Sequence, residues 1–231
     1  MNSDGKLHKA QSAVLYTLQY ATRARYSELQ RAADMQSDVF KFHIRKLVTQ
    51  RFIIKADDGL YELTAEGKAF VGRLDKGTGR EIEQPKSSML MVVRCGNYIL
   101  GHRREREPFN GFWGIASAPV LRGVPLVESA ARELNKQTGI EASFRVAGSY
   151  RVIDKNTHGN VLEDKIFAVM VADIDRLAPV RPWSGGYSEW MPVKELLQKP
   201  HLFPITPAIF EMLSAGIAFR EDRCTYKDNE Y

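Results

Sequence analysis

Arg132-Glu133-Leu134-Asn135-Lys136-Gln137-Thr138-Gly139-Ile140 decides how this chain of 231 residues is read. Positions 133, 136 and 137 stand at i, i+3 and i, i+4, so in a helix their side chains share one face. Upstream, Val124-Pro125 reads as the helix start, because proline tolerates a first-turn position whose amide has no partner anyway. Leu126, Ala130 and Leu134 repeat at helical spacing, and Glu128 precedes Arg132 by four residues, the favourable order for an ion pair. Gly139 reads as the C-terminal stop. The shared face thus carries one carboxylate, Glu133, beside a cation, Lys136, and an amide, Gln137.

Short apolar runs at 88–95 and 98–102 are separated by Gly96-Asn97, a hairpin signal. Gly111-Phe112-Trp113-Gly114-Ile115 and Ser117-Ala118 lie between that hairpin and the helix. Downstream, 144–153 and 165–174 read as strands around a polar turn at 154–160, and 188–197 as a strand running into a helix. A last helix is expected at 206–219, with Thr206 as cap and Pro207 in its first turn. Its Ile209, Phe210, Met212, Leu213 and Ile217 are too apolar to stand free, so they close a core or form a dimer seam. Residues 220–231 read as a polar tail that frays.

This region, 86 to 215, resembles a Nudix domain. The family's box runs Gly-x5-Glu-x7-Arg-Glu-U-x-Glu-Glu-x-Gly-U, with U bulky and apolar. Arg132, Glu133, Leu134, Gly139 and Ile140 fall on their places. Lys136 and Gln137 replace the paired glutamates, and Ala118 and Val124 replace the leading Gly and Glu. The segment around Trp113 is similar to the family's Gly-x-Trp. The resemblance implies an α/β/α sandwich with a mixed sheet. In the family, carboxylates on this helix face hold Mg²⁺, which screens a diphosphate and activates water. One carboxylate cannot replace that cage, and Lys136 repels a divalent ion at close range. The expectation is a retained fold without hydrolysis and with no cofactor. A nucleotide-type or sugar-phosphate ligand would meet Arg103, Arg104, Trp113, Arg132, Glu133, Lys136 and Gln137, with Lys136 standing in for the metal as the positive partner of a phosphate. The alternative is a Nudix hydrolase with a rebuilt Mg²⁺ site, in which Glu133 is the catalytic and metal-binding residue and Glu128, Asp164 or Glu189 supplies further ligands. Trp183 and Tyr187, in a Gly-rich loop, are candidates for ligand stacking.

The first part of the chain has its own pattern. Helices are expected at 8–21, 26–33 and from Ser37 on, where Phe40, Ile44 and Leu47 share a face. Phe52-Ile53-Ile54-Lys55 and Leu60-Tyr61-Glu62-Leu63 flank a turn at 56–59, and Thr64 caps a fourth helix. His43 reads as a packed residue at the edge of the core. Phe42–Leu47, Arg51–Ile54 and Tyr61-Glu62-Leu63-Thr64-Ala65-Glu66-Gly67 resemble MarR- and ArsR-like repressors. The resemblance covers 6 to 75 and implies a winged helix-turn-helix, whose third helix enters the DNA major groove while the wing touches the backbone. Residues 1–84 carry 14 Lys and Arg against 11 Asp and Glu, a net +3. The cations gather at Lys41, Arg45, Lys46 and Arg51, with Lys55 at the wing, a suitable footprint for phosphates. Gln36, Ser37, Lys41 and Arg45 are the candidate base readers.

Length and composition allow two domains of α+β class: 1–75 winged helix, 76–87 linker, 88–219 Nudix-like, 220–231 tail. Apolar residues at 44% and charged residues at 26% exclude neither domain a core, and no apolar run is long enough for a membrane span. Two distant cysteines form no ligand pattern, and the polar first ten residues lack an export signal, so a cytoplasmic location is expected. The resulting expectation is a homodimeric transcription regulator that binds double-stranded DNA and senses a ligand. An inert protein-binding module is the remaining competitor.

Overall fold

The computed structural model describes residues 7–75 and 82–231. Residues 76–81 of the expected linker lie outside them. Contacts divide the chain into two compact units, Met1–Glu83 and Gln84–Tyr231.

In the first unit, α1 (Lys9–Ala21) opens on His8. His8 Nδ1 accepts from the Ala10 amide at 3.2 Å, and Gln11 Oε1 accepts from the His8 amide at 3.1 Å, so first-turn donors are not left unpaired. Then come β1 (Arg23–Ala24), α2 (Tyr26–Ala33), α3 (Ser37–Thr49), β2 (Ile53–Lys55), β3 (Tyr61–Leu63) and α4 (Ala65–Val71). The strands form one sheet in the order β1-β3-β2. Phe40, Ile44 and Leu47 of α3 pack with Val14, Leu18 and Leu29. His43 is 7% exposed and stacks on His8. The Thr64 hydroxyl accepts from the Gly67 amide at 2.9 Å and donates to the Arg51 carbonyl, fixing α4 against the hairpin. A Cβ at Gly67 would lie 1.9 Å from the Phe52 carbonyl oxygen. That approach is why glycine stands three residues after the cap.

The second unit is built on β4 (Lys86–Cys95), β5 (Tyr98–Arg104), β6 (Trp113–Ile115), β7 (Ser117–Pro119), β8 (Arg145–Asn156), β9 (Val161–Asp173), β10 (Gly186–Pro192) and β11 (Phe219–Tyr226). The sheet order is β10-β5-β4-β9-β8-β11, with β6 on β5 and β7 on β4. Pairs β4–β9 and β8–β11 are parallel and the rest antiparallel, so the sheet is mixed. Strand alternation divides the core. Met89, Met91 and Val93 pack with Ala130 and Leu134 of α5 (Leu126–Thr138), whereas Leu90 and Val92 pack with Ile209 and Met212 of α7 (Ile205–Ala215). The short α6 (Val193–Leu196) follows β10. α5 has Pro125 at its N-cap and ends at Gly139, whose φ of 76° and 2.7 Å bond from its amide to the Asn135 carbonyl make a left-handed C-cap.

Three expectations need correction. Residues 220–231 do not fray: residues 219–226 are β11, which buries Cys224 and Tyr226. The last helix stops at Ala215, where Gly216 takes φ 66°, and the chain then turns into β11. Its Ile209 and Met212 are fully buried, which settles their place in the core. The polar turn at 154–160 is shorter, because β8 continues to Asn156 and β9 starts at Val161.

Candidate functional site

The helix face singled out in the sequence forms on α5, but its side chains are already engaged. Glu133 is 9% exposed, and Lys136 Nζ lies 3.6 Å from its Oε1. Gln137 Nε2 donates to the Ser117 carbonyl at 3.3 Å, while its buried Oε1 has no partner among the described residues. Arg132 is exposed and bound to Glu128, the i, i+4 pair expected from spacing. The outside donors are engaged too. Asp164 accepts from Arg151 at 2.9 and 3.1 Å, and Glu189 accepts from Lys199 at 3.2 Å and from the Tyr187 hydroxyl at 3.0 Å. No group of three His, Cys, Asp or Glu side chains able to hold a metal occurs among the described residues. This donor set does not fit Mg²⁺: an octahedral, hard cation needs carboxylates, and the one on this face is neutralised by a lysine.

The other expected ligand contacts separate. Arg103 is exposed, 3.9 Å from Glu105. Arg104 is half-buried, and its guanidinium donates to the carbonyls of Arg106, Glu107 and Pro108, which ties it to that loop rather than leaving it for a phosphate. Trp113 is in the core, with Lys199 Nζ 4.7 Å from its ring centroid. Tyr187 is exposed. Trp183 instead lines a cavity, with the Arg106 guanidinium 5.5 Å from its ring centroid.

That cavity lies on the α7 face of the sheet and is the feature the sequence did not reveal. Asp154 and Lys165 line it together with His102, Thr206 and Tyr226. Tyr150, Val152 and Asp154 alternate inward along β8, so period two was the available signal; two polar neighbours masked it as a turn. Asp154 is 4% exposed, and its Oδ1 has no hydrogen-bond partner among the described residues. Burial raises its pKa to about 6; Lys165 opposes the rise and Glu163 adds to it. Lys165 is shifted down by burial, against the pull of Glu163 and Asp154. His102 shares a 2.9 Å hydrogen bond with Ser188, and burial, helped by Arg104 and Arg106, lowers its pKa to about 4.

These two shifts oppose each other in acid. His102 stays neutral in the folded state, so its contribution holds above its unfolded pKa of about 6.5 and is lost as pH falls toward 4; the shift is worth about 3 kcal/mol. Asp154 takes up its proton first in the folded state, so stability is recovered as pH falls from about 6 toward its unfolded value. Urea midpoints between pH 7.5 and 4 should therefore fall more steeply in His102-intact Asp154→Asn than in the native chain. Parallel profiles would refute this opposition.

No protein-family model and no curated protein matches the sequence. Solved structures do. The mutator MutT protein from Bacillus halodurans aligns at TM-score 0.51 with 16% identity, over 63% of this chain and 93% of that one. The MutT Nudix hydrolase from Burkholderia pseudomallei is 26% identical at TM-score 0.47, over 56% and 98%. The Nudix domain of Shewanella oneidensis NrtR, solved with ADP ribose, is 15% identical at TM-score 0.49, over 66% and 98%. The first of these likenesses shows a shared fold and nothing finer. Together with the mixed sheet held between α5 and α7, it gives Gln84–Tyr231 a Nudix-like fold.

Proposed function

We propose that this chain is a DNA-binding transcription regulator whose Nudix-like domain binds a nucleotide-type or sugar-phosphate ligand without hydrolysing it. The observation that carries the reading is the face of α5, where Glu133 is paired to Lys136 and Gln137 is turned to the Ser117 carbonyl. A metal-dependent hydrolase needs negative charge there to assemble Mg²⁺ on a diphosphate. This face offers the exposed Lys136 ammonium instead, a compact positive charge suited to a phosphate.

The DNA-binding half of the proposal draws on the first unit. Three helices, a hairpin and a closing helix, with β1 completing the sheet, support the winged helix-turn-helix reading. Gln36, Ser37, Lys41 and Arg45 are exposed on and before α3, Lys46 is half-buried, and Arg51 and Lys55 are exposed beside the hairpin. Lys41, Arg45 and Lys55 line an open concavity with Tyr26 and Tyr61 at its side. The hairpin tip is acidic: Asp58 is held by Arg23 at 3.0 Å, and Asp57 is exposed. An acidic tip is repelled by phosphate, so backbone contact from the wing falls to Lys55 and Arg51 at its base. One recognition helix spans too few base pairs for useful specificity, which supports a homodimer on paired half-sites. Ligand then acts by favouring one dimer geometry through differential affinity.

Purified protein with Mg²⁺ or Mn²⁺ and a panel of nucleoside diphosphate-linked compounds tests the ligand half. Expected are binding that survives EDTA, a loss of about tenfold in affinity in Lys136→Glu, and no turnover above a Glu133→Gln control. Turnover abolished by Glu133→Gln, or binding that vanishes with EDTA, refutes the reading in favour of a rebuilt hydrolase.

A further inference from the structure

The exposed surface of α3 is not uniformly polar. Phe40, Ile44 and Leu47 pack inward, so the outermost line of the helix, by its turn geometry, runs through Asp38, Phe42, Arg45 and Thr49. All four are exposed, and Phe42 keeps 62% of its surface open. Val39, three residues before Phe42, is 49% exposed. The Phe42 ring is supported from below: the buried His43 meets it at 5.4 Å and 78°, and His43 in turn stacks on His8. Lys41 and Arg45 line the concavity on the hairpin side, and the half-buried Lys46 follows Phe42 by four residues. A single exposed apolar side chain is ordinary. A pair on the outer side of one helix, set among three cations and one carboxylate, narrows the choice of partner. The core of a protein interface is depleted of charge. The DNA major groove instead has phosphate along its walls and, on its floor, one apolar group, the thymine C5-methyl.

We infer that α3 selects thymine through Phe42 and Val39, whose side chains rest on C5-methyl groups while Lys41, Arg45 and Lys46 hold the flanking phosphates. The inference rests on the DNA-binding reading and specifies its sequence preference. Asp38, one turn before Phe42 on the same line, is kept from the phosphates by its charge and accepts from a base amine such as cytosine N4. Base discrimination then comes chiefly from apolar contact in the middle of the helix, not from Gln36 and Ser37 at its start. The cations supply affinity without sequence, because phosphate contacts position a protein on the duplex and base contacts specify where. An aromatic ring held out in water then has a function in the bound state that offsets its exposure in the free one.

Duplexes enriched by the full native chain from a random-sequence library supply the probe. Each is then rebuilt with deoxyuridine in place of thymidine, which removes the C5-methyl and leaves base pairing unchanged. Fluorescence anisotropy at several salt concentrations should show the native chain losing about fourfold in affinity for each methyl contacted, and at least about tenfold for a dimer on two half-sites. Phe42→Ala should bind the two forms alike, near the native affinity for the deoxyuridine form, with its melting temperature and salt dependence unchanged. Val39→Ala should close part of the gap. A residue that merely supports the fold would instead lower the melting temperature and weaken both forms together. A native chain that enriches no thymine or binds both forms equally, or a Phe42→Ala chain that keeps the full difference, would overturn this assignment and leave the DNA-binding reading standing. Absence of salt-dependent binding to any duplex would overturn both.

Discussion

Reversing Lys41 and Arg45 together to Glu should weaken binding to duplex DNA at least about a hundredfold at physiological salt, roughly tenfold for each cation converted. The two side chains are one turn apart on α3, both exposed, and both line the concavity between that helix and the hairpin. Neither contributes to the packed core of the first unit, to which α3 gives Phe40, Ile44 and Leu47. The variant should therefore keep its helical circular dichroism and its melting temperature while losing DNA. Removing cations that pair with phosphates also flattens the dependence of log affinity on log salt, by about one for each phosphate no longer neutralised. A gel-shift titration at several salt concentrations reads both effects. Unchanged affinity, or affinity that does not vary with salt in the native chain, would remove DNA from the proposed function and return the exposed face of α3 to a protein partner.

What was readable in the sequence follows from which interactions are local. α5 was placed between Pro125 and Gly139 because its signals are close in sequence: a proline start, apolar residues three and four apart, and a glycine able to take φ 76°. The same locality gave the Glu128–Arg132 pair. The carboxylates absent from this face could be counted without coordinates.

Non-local features were not readable. Asp154 belongs to an inward row with Tyr150 and Val152, but a charged residue followed by Lys155 and Asn156 resembles a turn, and pairing with β9 on one side and β11 on the other holds the strand open that far. Arg104 looked available for phosphate because its partners are backbone carbonyls of the loop after it, which composition does not display. The C-terminal strand failed for a third reason. Arg220, Glu221, Asp222 and Arg223 are charged, and the pairs that neutralise them reach outside the segment as well as within it: Arg220 pairs with Glu211 at 2.9 Å and with Asp222 at 2.7 Å, and Glu221 with Arg151 at 3.3 Å. A polar segment was read as solvated when it is a sheet edge laced by ion pairs.

Deleting residues 219–231 should accordingly abolish the cooperative unfolding of the Nudix-like domain. β11 pairs in parallel with β8 over its whole length, from Phe219 opposite Ser149 to Tyr226 opposite Asn156. Tyr226 is 4% exposed, with its ring centroid 4.7 Å from that of Phe109, and Tyr231 adds a second ring 5.1 Å from Phe109. Burying one such aromatic side chain is worth about 4–6 kcal/mol at about 25 cal/mol per Å². The deletion also strips Asp222 from the hydroxyl of Tyr150 and uncovers that residue, which is 0% exposed in the intact chain. Against a total stability of about 5–15 kcal/mol for an ordinary domain, losses of this size leave little. Trp113, Trp183 and Trp190 all lie in the second unit, so tryptophan fluorescence in urea reports that unit alone. The truncated chain should show a shallow, non-cooperative change where the native chain shows a sharp transition. A sharp transition at the native midpoint would mean that β11 is dispensable, and that the ring cluster around Phe109 is held by the loop and α7 without it.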